Sequence, residues 1–91
     1  MILTDDRPVL EPLLRSALEH EKKVIQLGIV KTQQRLAEFE HRYGISSVEL
    51  EHRLHTLEMA ETPELSEWRM EIGMRRLLER QYTALQNARL N

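Results

Sequence analysis

Apolar residues recur along most of the chain at spacings of three and four, the period of a helix that buries one face. The first such run passes through Leu14, Leu18, Ile25, Gly28, Leu36, Phe39 and Tyr43. Pro8 and Pro12 bracket its start. Proline is tolerated in a helix's first turn and costs about 3 kcal/mol further in, so the uninterrupted helix is expected from about residue 12. Gly44 follows Tyr43 and suits the left-handed residue that ends a helix. Ser46-Ser47-Val48-Glu49 then reads as a capping box, with Ser46 as N-cap and Glu49 reaching back. Behind it a short apolar face carries Leu50, Leu54 and Leu57. Thr62-Pro63-Glu64 combines an N-cap, a proline at the first helical position and an acid facing the helix dipole. The run it opens continues through Leu65, Trp68, Ile72, Leu77, Leu78, Leu85 and Ala88.

The pattern predicts an all-α protein: two long antiparallel helices, about 12–43 and 63–90, joined by a short helix at about 47–60. The chain reads as a single domain over 1–91, with 1–11 as an N-terminal arm. At 1.5 Å per residue the long helices span about 48 Å and about 42 Å. A compact globule of this length has a diameter of roughly 32 Å. Both helices overshoot it, so association into an oligomeric bundle is expected. Gly28 and Gly73 lie inside the long helices, where glycine costs about 1 kcal/mol relative to alanine; a close crossing within or between chains accounts for them.

Composition narrows the chemistry. The 91 residues hold no cysteine, which removes disulfides and thiolate metal sites. Aromatic residues make up only 4%, and three glycines leave no phosphate-cradling loop. Neither a Gly-x-Ser-x-Gly elbow nor any other nucleophile constellation is present, so the chain is not expected to be an enzyme, nor to carry a cofactor. Glu38-x-x-His41, Glu49-x-x-His52 and His52-x-x-His55 match the spacing of carboxylate-histidine metal sites. Fifteen acids produce such spacings at close to the chance level, and His41 falls in a helix's last turn, where it faces the dipole. No metal site is expected.

Thirteen basic residues against fifteen acidic ones give a formal net charge of −2, which argues against a dedicated nucleic-acid binder. Arg69, Arg76 and Arg80 share one face of the third helix, but Glu67, Glu71 and Glu79 are interleaved with them, and Glu71 to Arg75 is an i, i+4 pair of a solvated helix. The longest apolar run, Leu27-Gly28-Ile29-Val30, is far shorter than the ~20 residues of a membrane span. With an acidic start, Thr4-Asp5-Asp6, and no signal-like segment, a cytoplasmic location is expected. Trp68 reads as a core anchor against Leu50, Leu54 and Phe39, or else as a binding hot spot. Met59, Met70 and Met74 are adaptable fillers or partner contacts.

The stretch Leu36-Ala37-Glu38-Phe39-Glu40-His41-Arg42-Tyr43-Gly44-Ile45-Ser46-Ser47-Val48-Glu49-Leu50, followed by Arg53-Leu54 and Glu67-Trp68, resembles small archaeal and cyanobacterial helical proteins. Those proteins carry a Glu-Phe-Glu-x-x-Tyr-Gly-Met-Ser-Ser-x-Glu-Phe core and an aromatic-Glu-Trp at the start of the last helix. They are regarded as the antitoxin-like member of a toxin–antitoxin pair. The resemblance covers about residues 24 to 85. It marks Phe39, Tyr43, Gly44, Ser46, Ser47, Leu50, Leu54 and Trp68 as a structural signature, without catalytic chemistry. Where those proteins have Gly-Glu-x-x-Asp-Asp, this chain has Leu57-Glu58-Met59-Ala60-Glu61-Thr62. Losing that glycine predicts a longer second helix.

The resemblance implies an antitoxin that binds and neutralises a cognate toxin protein. The residues expected to reach a partner are Leu3, Val9 and Leu10 in an arm that orders on binding, together with Trp68, Met70 and Met74. The alternatives are a homo-oligomeric scaffold and, third, a DNA-binding regulator.

Overall fold

A computed structural model describes residues 6–88. Its elements are α1 (Arg7–Tyr43), α2 (Ser47–His55) and α3 (Pro63–Gln86), with no strand among the described residues. α1 and α3 run antiparallel. Four cross-helix neighbours set their register: Gln26 donates to the Tyr82 hydroxyl at 2.8 Å, Gly28 lies against Leu78, Arg35 pairs with Glu71 at 3.1 Å, and Phe39 stacks on Trp68. Extending that register places the last turn of α3 beside residue 20 or so of α1. The first third of α1 therefore runs past the end of its partner, and none of residues 7 to 24 is buried.

α1 starts five residues earlier than the prolines suggest. The Asp6 carbonyl accepts from the N–H groups of Val9 and Leu10, at 3.0 and 2.9 Å, which leaves Pro8 in the first turn. Pro12 lies inside the helix. The carbonyl it leaves without a helical donor is that of Pro8, which is exposed to solvent. α3 ends at Gln86, followed by Asn87; residues 89 and 90, where it was expected to finish, lie outside the described residues.

The core sits at the end of the hairpin closed by α2. Leu36, Leu50, Leu65, Trp68 and Ile72 are buried there, with Phe39, Tyr43, Ile45, Leu54 and Met59 packed around them. Farther along the seam only Ile25 and Thr32 of α1 are buried, and the Thr32 hydroxyl donates to the Ile29 carbonyl at 2.9 Å. Leu14 and Leu77, expected on buried faces, are both exposed. The result is an elongated molecule of 63 × 21 × 20 Å with a radius of gyration of 19.4 Å. A compact chain of this length has about 12 Å.

The two helical glycines do not meet. A Cβ on Gly28 comes within 3.1 Å of Leu78 Cδ1, so that glycine marks the close crossing of α1 and α3 within the chain. A Cβ on Gly73 meets nothing within 4 Å. Gly73→Ala is therefore expected to stabilise the protein by about 1 kcal/mol in a denaturant titration, and Gly28→Ala by less, because Leu78 must give way. Equal gains at the two sites contradict the crossing.

α2 is shorter than the missing glycine suggests, ending at His55 rather than near residue 60. Its close is a Schellman motif: the N–H of Glu58 reaches the Arg53 carbonyl at 2.8 Å and that of Leu57 the Leu54 carbonyl at 3.3 Å. Leu57 takes the left-handed role itself, at φ 62°, with its side chain 87% exposed. A β-carbon costs roughly 1–2 kcal/mol in that conformation, and the exposed leucine has little packing to lose. Leu57→Gly is expected to raise stability by about 1 kcal/mol, read as a higher denaturation midpoint at unchanged slope. A loss of stability means that Leu57 has a packing role.

Candidate protein-binding surface

Most of the residues that carry the resemblance converge on the junction of the three helices. Trp68 is fully buried between Phe39, stacked on it with centroids 5.5 Å apart, and Tyr43, tilted at 5.4 Å. Its indole Nε1 donates to Ser47 Oγ at 2.9 Å, which satisfies the one polar atom that so much burial would otherwise strand. Ser46 Oγ accepts from the N–H of Glu49 at 3.1 Å, the expected cap. The Glu49 carboxylate, expected to reach back, accepts instead from Arg53 Nε at 2.9 Å. The N–H of Ser47 is met from α1, by Glu40 Oε2 at 2.7 Å. Arg42 pairs with Glu64 and lies over the Phe39 ring. Gly44 ends α1 at φ 69°, its N–H on the Glu40 carbonyl. This junction is packed and hydrogen-bonded from within, and Trp68 presents no surface to a partner.

On the side of α3 that α2 covers, two of the stripe's three arginines are neutralised by ion pairs, while Arg80 is in none among the described residues. Arg76 holds Glu51 through two bonds, at 2.6 and 2.9 Å, and Arg69 holds Glu61 at 2.8 Å. The Ser66 hydroxyl also donates to Glu61 at 2.8 Å; that bond, with the Arg69 guanidinium, holds the Glu61 carboxyl below its ordinary value. The Glu51 bonds push Arg76 up. Glu71 pairs across the seam with Arg35 rather than with Arg75, whose partner is Glu79. Charges matched in this way leave little net field for tracking a phosphate backbone.

His52 and His55 line a shallow groove beside α2 with Glu51, Leu54, Glu61 and Arg69. Glu38 and His41 are exposed on α1. No group of three or more His, Asp or Glu among the described residues is placed to hold a metal ion.

Apart from Val48 on α2 and Leu57 just after it, the exposed large apolar side chains of the described residues lie elsewhere, on α3 and on α1. On α3, Met70 is 72% exposed and is followed at i+4 and i+7 by exposed Met74 and Leu77. Helical geometry turns these three away from the α2-covered side, which holds Arg69 and Arg76. On α1, Val9 and Leu10 are exposed near the helix start. By the register of the hairpin, Leu10 lies about 39 Å along α1 from the level of Met70, so the expected contact residues do not form one patch. Leu3 lies outside the described residues. Sequence reading missed Leu13, Val24 and Leu27 on α1; the signal was there, in apolar residues at helical spacing on a face different from that of Ile25 and Leu36.

Compared with known protein families, curated proteins and solved structures, the chain matches none. No helix among the described residues is long and apolar enough to cross a membrane.

Proposed function

We propose that this chain is a non-catalytic protein-binding module of the cytoplasm, the antitoxin that neutralises a partner toxin. The observation that carries the binding role is the face of α3 formed by Met70, Met74 and Leu77. Anchors at i, i+4 and i+7 on a helix backed by a rigid hairpin suit insertion into an apolar groove of another protein. Two of the three are methionines, whose unbranched thioethers adapt to a partner's contours. The antitoxin reading adds to this the likeness of Phe39 to Leu50, and of Glu67-Trp68, to antitoxin-like proteins.

The test is co-expression with the product of the adjacent small gene. That product alone is expected to arrest growth, to be rescued by this chain and to co-purify with it. Met70→Glu with Met74→Glu is expected to abolish both rescue and co-purification while leaving the helical circular dichroism intact, since both side chains are exposed. A harmless neighbour, or a toxin still rescued by the double variant, overturns the proposal.

A further inference from the structure

α1 carries two apolar faces rather than one. At 100° per residue, its buried residues Ile25, Thr32 and Leu36 point toward α3. Between residues 9 and 27, Val9, Leu10, Leu13, Leu14, Val24 and Leu27 fall within an arc of about 140° centred roughly 90° away from that direction. Leu14 is at its near edge, in line with Thr32, and exposed Val30 lies outside it. All six are between 45% and 64% exposed. An apolar stripe of this width is what a helix turns toward a core, yet neither α2 nor α3 covers it.

We infer that a second copy of this chain seats on that stripe, so that two α1 helices pack together across a two-fold axis. The surface area favours this occupant. The chain exposes 7221 Å², whereas a compact monomer of 10.8 kDa exposes about 5,500 Å². The excess, about 1,700 Å² per chain, is spread over the whole elongated molecule, and a dimer of standard size needs about 800 Å² per partner of it on the stripe. A two-fold contact brings one patch against itself, so both copies' stripes are covered in a single step. A formal net charge of only −2 sets little repulsion against it. The stripe shares no residue with the Met70 face of α3, so the variants that test the dimer differ from those that test toxin binding.

Sedimentation equilibrium of the full chain at tens of micromolar tests it. The expected mass is twice 10.8 kDa. Leu13→Glu with Val24→Glu is expected to halve that mass while preserving helical circular dichroism and the fluorescence of Trp68, which reports the core at the far end of the hairpin. Val48→Glu, at an exposed position on α2, is expected to keep the wild-type mass. If the glutamates unfold the chain, Leu13→Gln with Val24→Gln keeps helix propensity and decides the point by the same loss of mass. A wild-type mass of 10.8 kDa overturns the inference, even if a different protein occupies the stripe. So does a folded stripe variant that remains dimeric, whereas failure of toxin rescue leaves the dimer's mass unchanged.

Discussion

Trp68→Ala is expected to cost about 3–5 kcal/mol, the range for removing a fully buried large aromatic side chain. The side chain is 0% exposed, stacks on Phe39, contacts Tyr43 and joins α3 to α2 through Ser47. Its loss opens a cavity where all three helices meet. Because a small domain has only about 5–15 kcal/mol in total, much of the variant population is expected to be unfolded at physiological temperature. Urea denaturation followed by circular dichroism measures this. Trp68→Phe is the informative companion, since it keeps the aromatic contacts and loses mainly the bond to Ser47, worth about 1 kcal/mol together with a smaller packing loss. Equal losses for the two variants mean that the hydrogen bond, not the packing, dominates.

Leu50→Ala is expected to release α2 from the rest of the molecule. α2 has nine residues, too few to hold helical structure unaided, and Leu50 is its one buried side chain. Removing it costs about 2–5 kcal/mol. The ion pair from Glu51 to Arg76 and the bonds of Ser47 to Trp68 and Glu40 remain. The exposed pair contributes about 1 kcal/mol at most and the two bonds roughly 1–3 kcal/mol each, less than helix formation by nine residues needs without their buried leucine. Hydrogen exchange is therefore expected to show the amides of Ser47–His55 opening locally while those of α3 near Ile72 stay protected. Exchange of both sets through a single global event sinks this picture and makes α2 integral to one cooperative unit.

Much of the junction was legible because its signals are local. Gly44 after Tyr43, Ser46 three residues before Glu49, and Thr62-Pro63 ahead of Leu65 each satisfy helix-end groups from nearby residues, and the boundaries at Tyr43, Ser47 and Pro63 follow from them. The core around Trp68 was legible for a related reason: an aromatic so rare in this chain, aligned with Leu65 and Ile72, has few other places to go. The candidate surface was harder. Leu14 and Leu77 fit a helical period that predicts burial, but a period says only that residues share a face, not that anything covers it. Thr32 escaped notice because its side chain is polar; burial is tolerated because its hydroxyl bonds back to Ile29 within its own helix.

The amino-acid sequence by itself determined that this chain forms two long helices and a short one, where the first ends and the other two begin, and that one end of the hairpin is locked by Trp68. Those outcomes depend on caps, turns and apolar spacing that act over a few residues. Only the tertiary structure decided the register of α1 against α3, and with it which apolar residues are left uncovered. That register depends on contacts between residues tens of positions apart, such as Gly28 with Leu78 and Arg35 with Glu71. It sets the end of α3 beside the middle of α1, and so leaves the leading turns of α1, with Leu10, Leu13 and Leu14, outside the hairpin's own core.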